Sequence, residues 1–179
     1  MSLIVTLSYF TVKWFIEPVI VKKQNVPVVE VVYIRTLRSY SDFVKAVAFR
    51  ESGGNYKITN QYGMLGAFQF SQKYLPNVGI TVSAEDFLNN EELQRGVFKQ
   101  LLLINYRNNQ ALINKWNYKS IKGVKGTVTT SGILMAFHLC PQSAITFFNS
   151  SGSDLGKPDG NGVYVNQYVQ LFSGYEIPF

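Results

Sequence analysis

The sequence predicts a mainly helical domain of the α+β class, preceded by an apolar and extended N-terminal arm. Three observations carry that expectation. From Ser39 onward, apolar residues recur at helical spacing in segments bounded by capping residues and glycines. No sustained alternation of apolar and polar residues, the mark of half-buried strands, follows residue 36. Finally, 179 residues with 46% hydrophobic content suffice for a core that needs no disulfides.

Residues 1–38 form the arm and residues 39–179 the domain. Residues 1–21, MSLIVTLSYFTVKWFIEPVIV, are the most apolar stretch. Lys13 and Glu17 interrupt it and Pro18 would break its helix, leaving too few clean residues to span a bilayer. A packed element and a membrane-contacting or anchoring segment both fit this composition, whereas a removable signal lacks its basic start and small-residue cleavage site. Val26 to Ile34 is β-branched and partly alternating, which predicts a strand or an extended linker.

The elements of the domain follow in order. Ser39 or Ser41 can cap a helix from Asp42 to about Ser52, with Phe43, Val44, Val47 and Ala48 as its apolar stripe and Gly53-Gly54 as its stop. A loop with Gly63 and Gly66 leads to a short amphipathic piece around Phe68 to Leu75. Ser83-Ala84-Glu85-Asp86 opens another helix, and a long helical pattern runs from Glu91 to about Lys115. Glycines at 123 and 126 mark a loop. Ile133 to Asn149 predicts a buried helix pair broken at Pro141, and a Ser-, Gly-, Asp- and Asn-rich loop (150–162) leads to a terminal helix at 163–172.

Composition narrows the partners. Charged residues make up 16% of the chain, while 14 asparagines, 10 glutamines and 26 aromatic residues favour a neutral polar ligand such as a carbohydrate. The net charge of +6 is spread evenly, and no nucleic-acid reading motif accompanies it. Cys140 and His138 are each alone, which excludes a disulfide framework, a cysteine-based zinc site and a multi-histidine centre. Asp154, Asp159 and Asn161 lie in a Gly-rich loop, but EF-hand spacing with its closing glutamate is absent. No metal and no cofactor is expected.

The chemistry-bearing segment is Arg50-Glu51-Ser52-Gly53-Gly54, followed by Asn60-Gln61-Tyr62-Gly63-Met64-Leu65-Gly66-Ala67-Phe68-Gln69. Glu51 occupies the last turn of an apolar helix, where the helix dipole disfavours a second negative charge. Burial against Val47 and Ala48 would act in the same direction. Both effects favour a protonated carboxyl, the group that general-acid cleavage of a glycosidic bond requires. Gly63 and Gly66 let the backbone approach a ligand or adopt positive φ, and Gln69 can bond an amide or a sugar hydroxyl without charge.

This segment resembles the E-S then G-A-x-G-L-M-Q signature of soluble lytic transglycosylases, which are related to goose-type lysozymes. Asn60 stands where that family often has Ser or Asn. Ala136-Phe137-His138-Leu139-Cys140-Pro141 is similar to its A-Y-N-A-G-P segment, and Gln167-Tyr168-Val169 to its late tyrosine motif. The matches keep their order across residues 39–175. Three departures stand out: Phe137 for tyrosine, His138 for asparagine and Cys140 for glycine.

The resemblance implies a lysozyme-like fold whose cleft binds the glycan strands of peptidoglycan. Glu51 would protonate the bond between N-acetylmuramic acid and N-acetylglucosamine, then act as base while the sugar's own 6-hydroxyl closes a 1,6-anhydro ring. Ser52, Asn60, Tyr62, Gly63, Gly66, Gln69, Phe137, His138 and Tyr168 would bind the substrate, with Tyr62, Phe137 and Tyr168 as candidate stacking platforms. No Asp or Glu lies between Glu51 and Glu85, which agrees with a single catalytic acid rather than a carboxylate pair. Two other readings stay open: a lysozyme-type hydrolase of the same fold, and a non-catalytic wall-binding or structural particle protein. The expected location is the cell envelope or a virus particle, with residues 1–21 providing any membrane contact.

Overall fold

The computed structural model describes residues 36–179, together with the backbone of two short strands nearer the N-terminus. The chain divides into two units, Met1–Thr36 and Leu37–Phe179. In the first, β1 (Pro18–Val21) pairs antiparallel with β2 (Glu30–Tyr33), placing Pro18 opposite Tyr33 and Val21 opposite Glu30. Pro18 therefore opens a strand, a position that needs no backbone donor. The extended reading of Val26–Ile34 holds over Glu30–Tyr33. The rest of that reading, and the membrane-contact reading of residues 1–21 apart from Pro18–Val21, lie outside the described residues. No described helix is long and apolar enough to cross a membrane.

The second unit is mainly helical. Its first helix, α1 (Tyr40–Ser52), is capped by Ser39, whose Oγ accepts the Asp42 N–H at 3.1 Å. It ends at Gly53, which adopts φ 67° and donates its N–H to the carbonyls of Ala48 and Phe49. Phe43, Val44, Val47 and Ala48 are buried, as their spacing predicts.

The expected amphipathic piece at Phe68–Leu75 is instead a change of structure. β3 (Met64–Leu65) and β4 (Phe70–Ser71) form a two-residue hairpin, and a 3-10 helix covers Gln72–Val78. Pro76 lies inside that short helix and Gly79 ends it at φ 78°, so the backbone cannot extend into an α-helix.

Ser83 caps α2 (Ala84–Leu88), and Asn90 caps α3 (Glu91–Asn108). The continuous helix expected up to Lys115 breaks at Asn109, before α4 (Gln110–Trp116). Side-chain competition for backbone carbonyls accounts for the break: Asn109 Nδ2 donates to the Asn105 carbonyl at 2.8 Å, and Gln110 Nε2 to that of Tyr106 at 2.9 Å.

α5 (Thr130–Leu139) runs through the centre, with every residue from Ser131 to Phe137 buried. α6 (Pro141–Asn149) starts at Pro141, whose missing N–H costs nothing in a first helical turn. α7 (Val165–Phe172) then packs against α5. Gly132 permits that approach, because a Cβ there would stand 2.8 Å from the Val169 carbonyl and strike the Ser173 hydroxyl. The tail returns to the start of the unit, where Arg38 bridges to Tyr175 with its guanidinium 3.5 Å above the ring.

Candidate active site

The end of α1 is fastened before it can present a side chain. Ser52 Oγ lies 3.0 Å from the Ala48 carbonyl and 3.1 Å from that of Ala67, and accepts the Asn55 N–H at 3.0 Å. Ser52 thus ties the helix end to the segment after β3. It does not line the cleft, and its place is structural rather than substrate-binding.

That anchorage leaves Glu51 at the wall of a cleft of about 520 Å³, lined also by Asn60, Tyr62, Met64, Gln69, His138, Leu139, Cys140, Asp159, Gly160 and Asn161. The Glu51 side chain is 14% exposed. Tyr168, from α7, donates its hydroxyl to Glu51 Oε1 at 2.7 Å. Burial, then the charge of Glu51 and this hydrogen bond, push the phenol far above its ordinary value, so Tyr168 remains a donor at any working pH. Among the described residues no hydrogen bond reaches Glu51 Oε2.

His138 Nε2 stands 3.9 Å from Glu51 Oε1, beyond hydrogen-bond range. Burial lowers the imidazole's pKa from its usual 6.5, with the charge of Glu51 opposing in part. The ring lies edge-on to Phe98 and Phe70, at 5.9 and 6.2 Å between centroids. His138 is therefore a neutral wall beside the carboxyl rather than its ionic partner.

The hairpin supplies the facing polar groups. Asn60 Oδ1 accepts the N–H groups of Tyr62 and Met64, and Gly63 (φ 74°) closes the turn onto the Asn60 carbonyl at 3.0 Å. This turn leaves Tyr62 on the cleft, 58% exposed and able to face a sugar ring. Gln69 holds φ 51°, a left-handed conformation that costs a non-glycine residue energy, and its Nε2 donates to the Gly66 carbonyl at 2.9 Å. The strain falls on a residue that lines the cleft.

Of the ten residues singled out from sequence, five line this cleft: Glu51, Asn60, Tyr62, Gln69 and His138. Gly63 shapes it through its turn. Four need correction. Ser52 is an anchor. Phe137 is 4% exposed and belongs to the core. Tyr168, also 4% exposed, is a hydrogen-bond donor to Glu51 rather than a stacking platform. Gly66 is buried, and the group it admits is protein: a Cβ there would fall on the side-chain amide of Gln94.

Gln94 is a supporting residue that sequence reasoning misses. Fully buried on α3, its Oε1 accepts the Ala67 N–H at 2.9 Å, while Nε2 is 2.9 Å from the carbonyls of both Tyr56 and Phe87. It holds the hairpin against α3 and so supports Gln69. Its only trace in the sequence is an amide on the same helical face as Val97, Phe98 and Leu101. Cys140, which stands where the resembled motif has glycine, has φ −158°, extended backbone that any residue adopts. Among the described residues no cluster of His, Cys, Asp or Glu could hold a metal ion. Compared with protein-family models, curated proteins and solved structures, the chain matches none of them.

Proposed function

We propose that this chain is a peptidoglycan-cleaving glycosidase acting on the bond between N-acetylmuramic acid and N-acetylglucosamine, as a lytic transglycosylase with Glu51 as general acid and base. The observation that carries the reading is the setting of Glu51. Its carboxyl stands in a cleft walled by Asn60, Gln69, Asn161 and neutral His138, with one oxygen held by Tyr168. Uncharged amides and an exposed ring suit a sugar bearing hydroxyl and acetamido groups.

In this mechanism Glu51 Oε2 gives its proton to the glycosidic oxygen as the C1–O bond breaks. The 6-hydroxyl oxygen then bonds to C1 and returns its proton to Glu51. Tyr168 holds Oε1, so the same oxygen can serve both transfers without the side chain turning. The resemblance of residues 50–69 to soluble lytic transglycosylases supports the same assignment. The test is a digest of purified sacculi analysed by mass spectrometry. Anhydro-muropeptides are expected; intact sacculi that bind the protein but release nothing would contradict enzymatic function and favour the wall-binding reading.

A further inference from the structure

A second carboxylate reaches the cleft from far downstream, although none is near Glu51 in sequence. Asp159 lies in the segment between α6 and α7 and lines the cleft that Glu51 lines. Its Oδ1 accepts the N–H of Asn161 at 2.9 Å and of Val163 at 2.7 Å, and the Gly162 N–H closes the turn on its carbonyl at 3.1 Å. These bonds hold the carboxylate through one oxygen. Oδ2 receives no hydrogen bond among the described residues.

Among the described residues no lysine or arginine lines the cleft. The charges of Glu51 and, more weakly, Asp159 raise the Tyr168 phenol's pKa, and that of Arg50 opposes them. A volume of about 520 Å³ leaves room for a water beside a sugar ring. A second carboxylate on the cleft that holds the acid, with room for a water, is the kind of group that hydrolysis with inversion uses.

Building on the glycosidase reading, we propose that Asp159 is the base that activates a water in this cleft, and that it sets how much cleaved sugar is hydrated rather than cyclised. In the hydrolytic branch, Glu51 Oε2 protonates the glycosidic oxygen, and the C1–O electron pair leaves with that oxygen. The water oxygen bonds to C1, and its proton passes to Asp159 Oδ2. Solvent then returns a proton to Glu51 and removes one from Asp159. The cyclising branch uses Glu51 alone, so the two products report on the two carboxylates separately.

The test compares the parent with Asp159→Asn, Asp159→Ser and Glu51→Gln on purified sacculi, in water enriched in oxygen-18. Asparagine keeps an acceptor for the turn and removes the basic oxygen; serine is a second, shorter acceptor, and thermal melting checks the fold of each. The parent is expected to release labelled hydrated muropeptides beside anhydro ones. Both Asp159 variants should lower the hydrated-to-anhydro ratio about ten-fold or more while anhydro release continues. An unchanged ratio in a folded variant, or a parent that releases only anhydro products, overturns the role of Asp159 and leaves the glycosidase reading intact. Parent and Glu51→Gln digests that are alike would instead sink that reading itself.

Discussion

The Tyr168 hydroxyl lies 2.7 Å from Glu51 Oε1 across 117 residues of sequence, and the bond joins the last turn of α1 to the middle of α7. Tyr168 also packs its ring against Phe172 at 5.3 Å, so the hydroxyl is aimed by the core rather than by a loop. One oxygen of the proposed acid is fixed as firmly as the helices are.

Removing that hydroxyl should therefore loosen the carboxyl without emptying the core. Tyr168→Phe is expected to reduce the rate of muropeptide release about ten-fold and to cost about 1 kcal/mol of stability, the usual net worth of a hydrogen bond. Initial rates and urea unfolding measure the two effects. A variant as active as the parent would show that the bond does not position Glu51 for catalysis.

Stability should depend on pH through His138. Its pKa in the folded protein lies below the unfolded value of 6.5, so between those values the unfolded chain binds more protons. The stabilisation is full above about pH 6.5 and is lost as pH falls toward the folded value. Each tenfold difference in proton affinity between the two states is worth about 1.4 kcal/mol. Urea midpoints at pH 7.5 and pH 5 should drop toward acid in the parent and drop less in His138→Asn. Equal drops in both would place the acid sensitivity elsewhere.

The Gly66–Gln94 contact predicts a non-additive pair. Gly66→Ala forces a methyl onto the Gln94 amide at φ 69°, and is expected to cost about 2–3 kcal/mol from the clash and the left-handed backbone together. Gln94→Ala removes the acceptor of the Ala67 N–H and the donor to the Tyr56 carbonyl and should cost about 3 kcal/mol. Combined, the two should cost clearly less than their sum, because the methyl then has space. Full additivity in a double-mutant cycle would refute the contact as the reason for glycine.

Local signals and distant ones differ sharply in how legible they are. α1 is readable with its serine cap, apolar stripe and glycine stop, since each depends on neighbours within a few residues. Glu51, Asn60, Tyr62, Gln69 and His138, singled out from the sequence, lie on one cleft. Tyr168 is legible as a site residue but not in its role: a tyrosine's ring suggests stacking, and only tertiary packing brings its hydroxyl to Glu51. Gln94 and Asp159 have no role legible in sequence, as a single amide on an apolar helix face and an aspartate in a polar loop acquire meaning only from what tertiary packing sets beside them. The break at Asn109 is hidden because apolar spacing continues past it while the side chains of Asn109 and Gln110 compete for the helix carbonyls.

If one carboxyl at the end of α1 breaks the glycan chain, its proton is indispensable. Glu51→Gln preserves the shape of the side chain and can still accept the Tyr168 hydroxyl, but it carries no acidic proton. Soluble muropeptides released from purified sacculi by equal amounts of parent and variant, each confirmed as folded by its melting curve, measure the difference. A fall of at least about 100-fold is expected in the variant, the lower range of general-acid catalysis. Release by Glu51→Gln at the parent's rate would contradict the assignment.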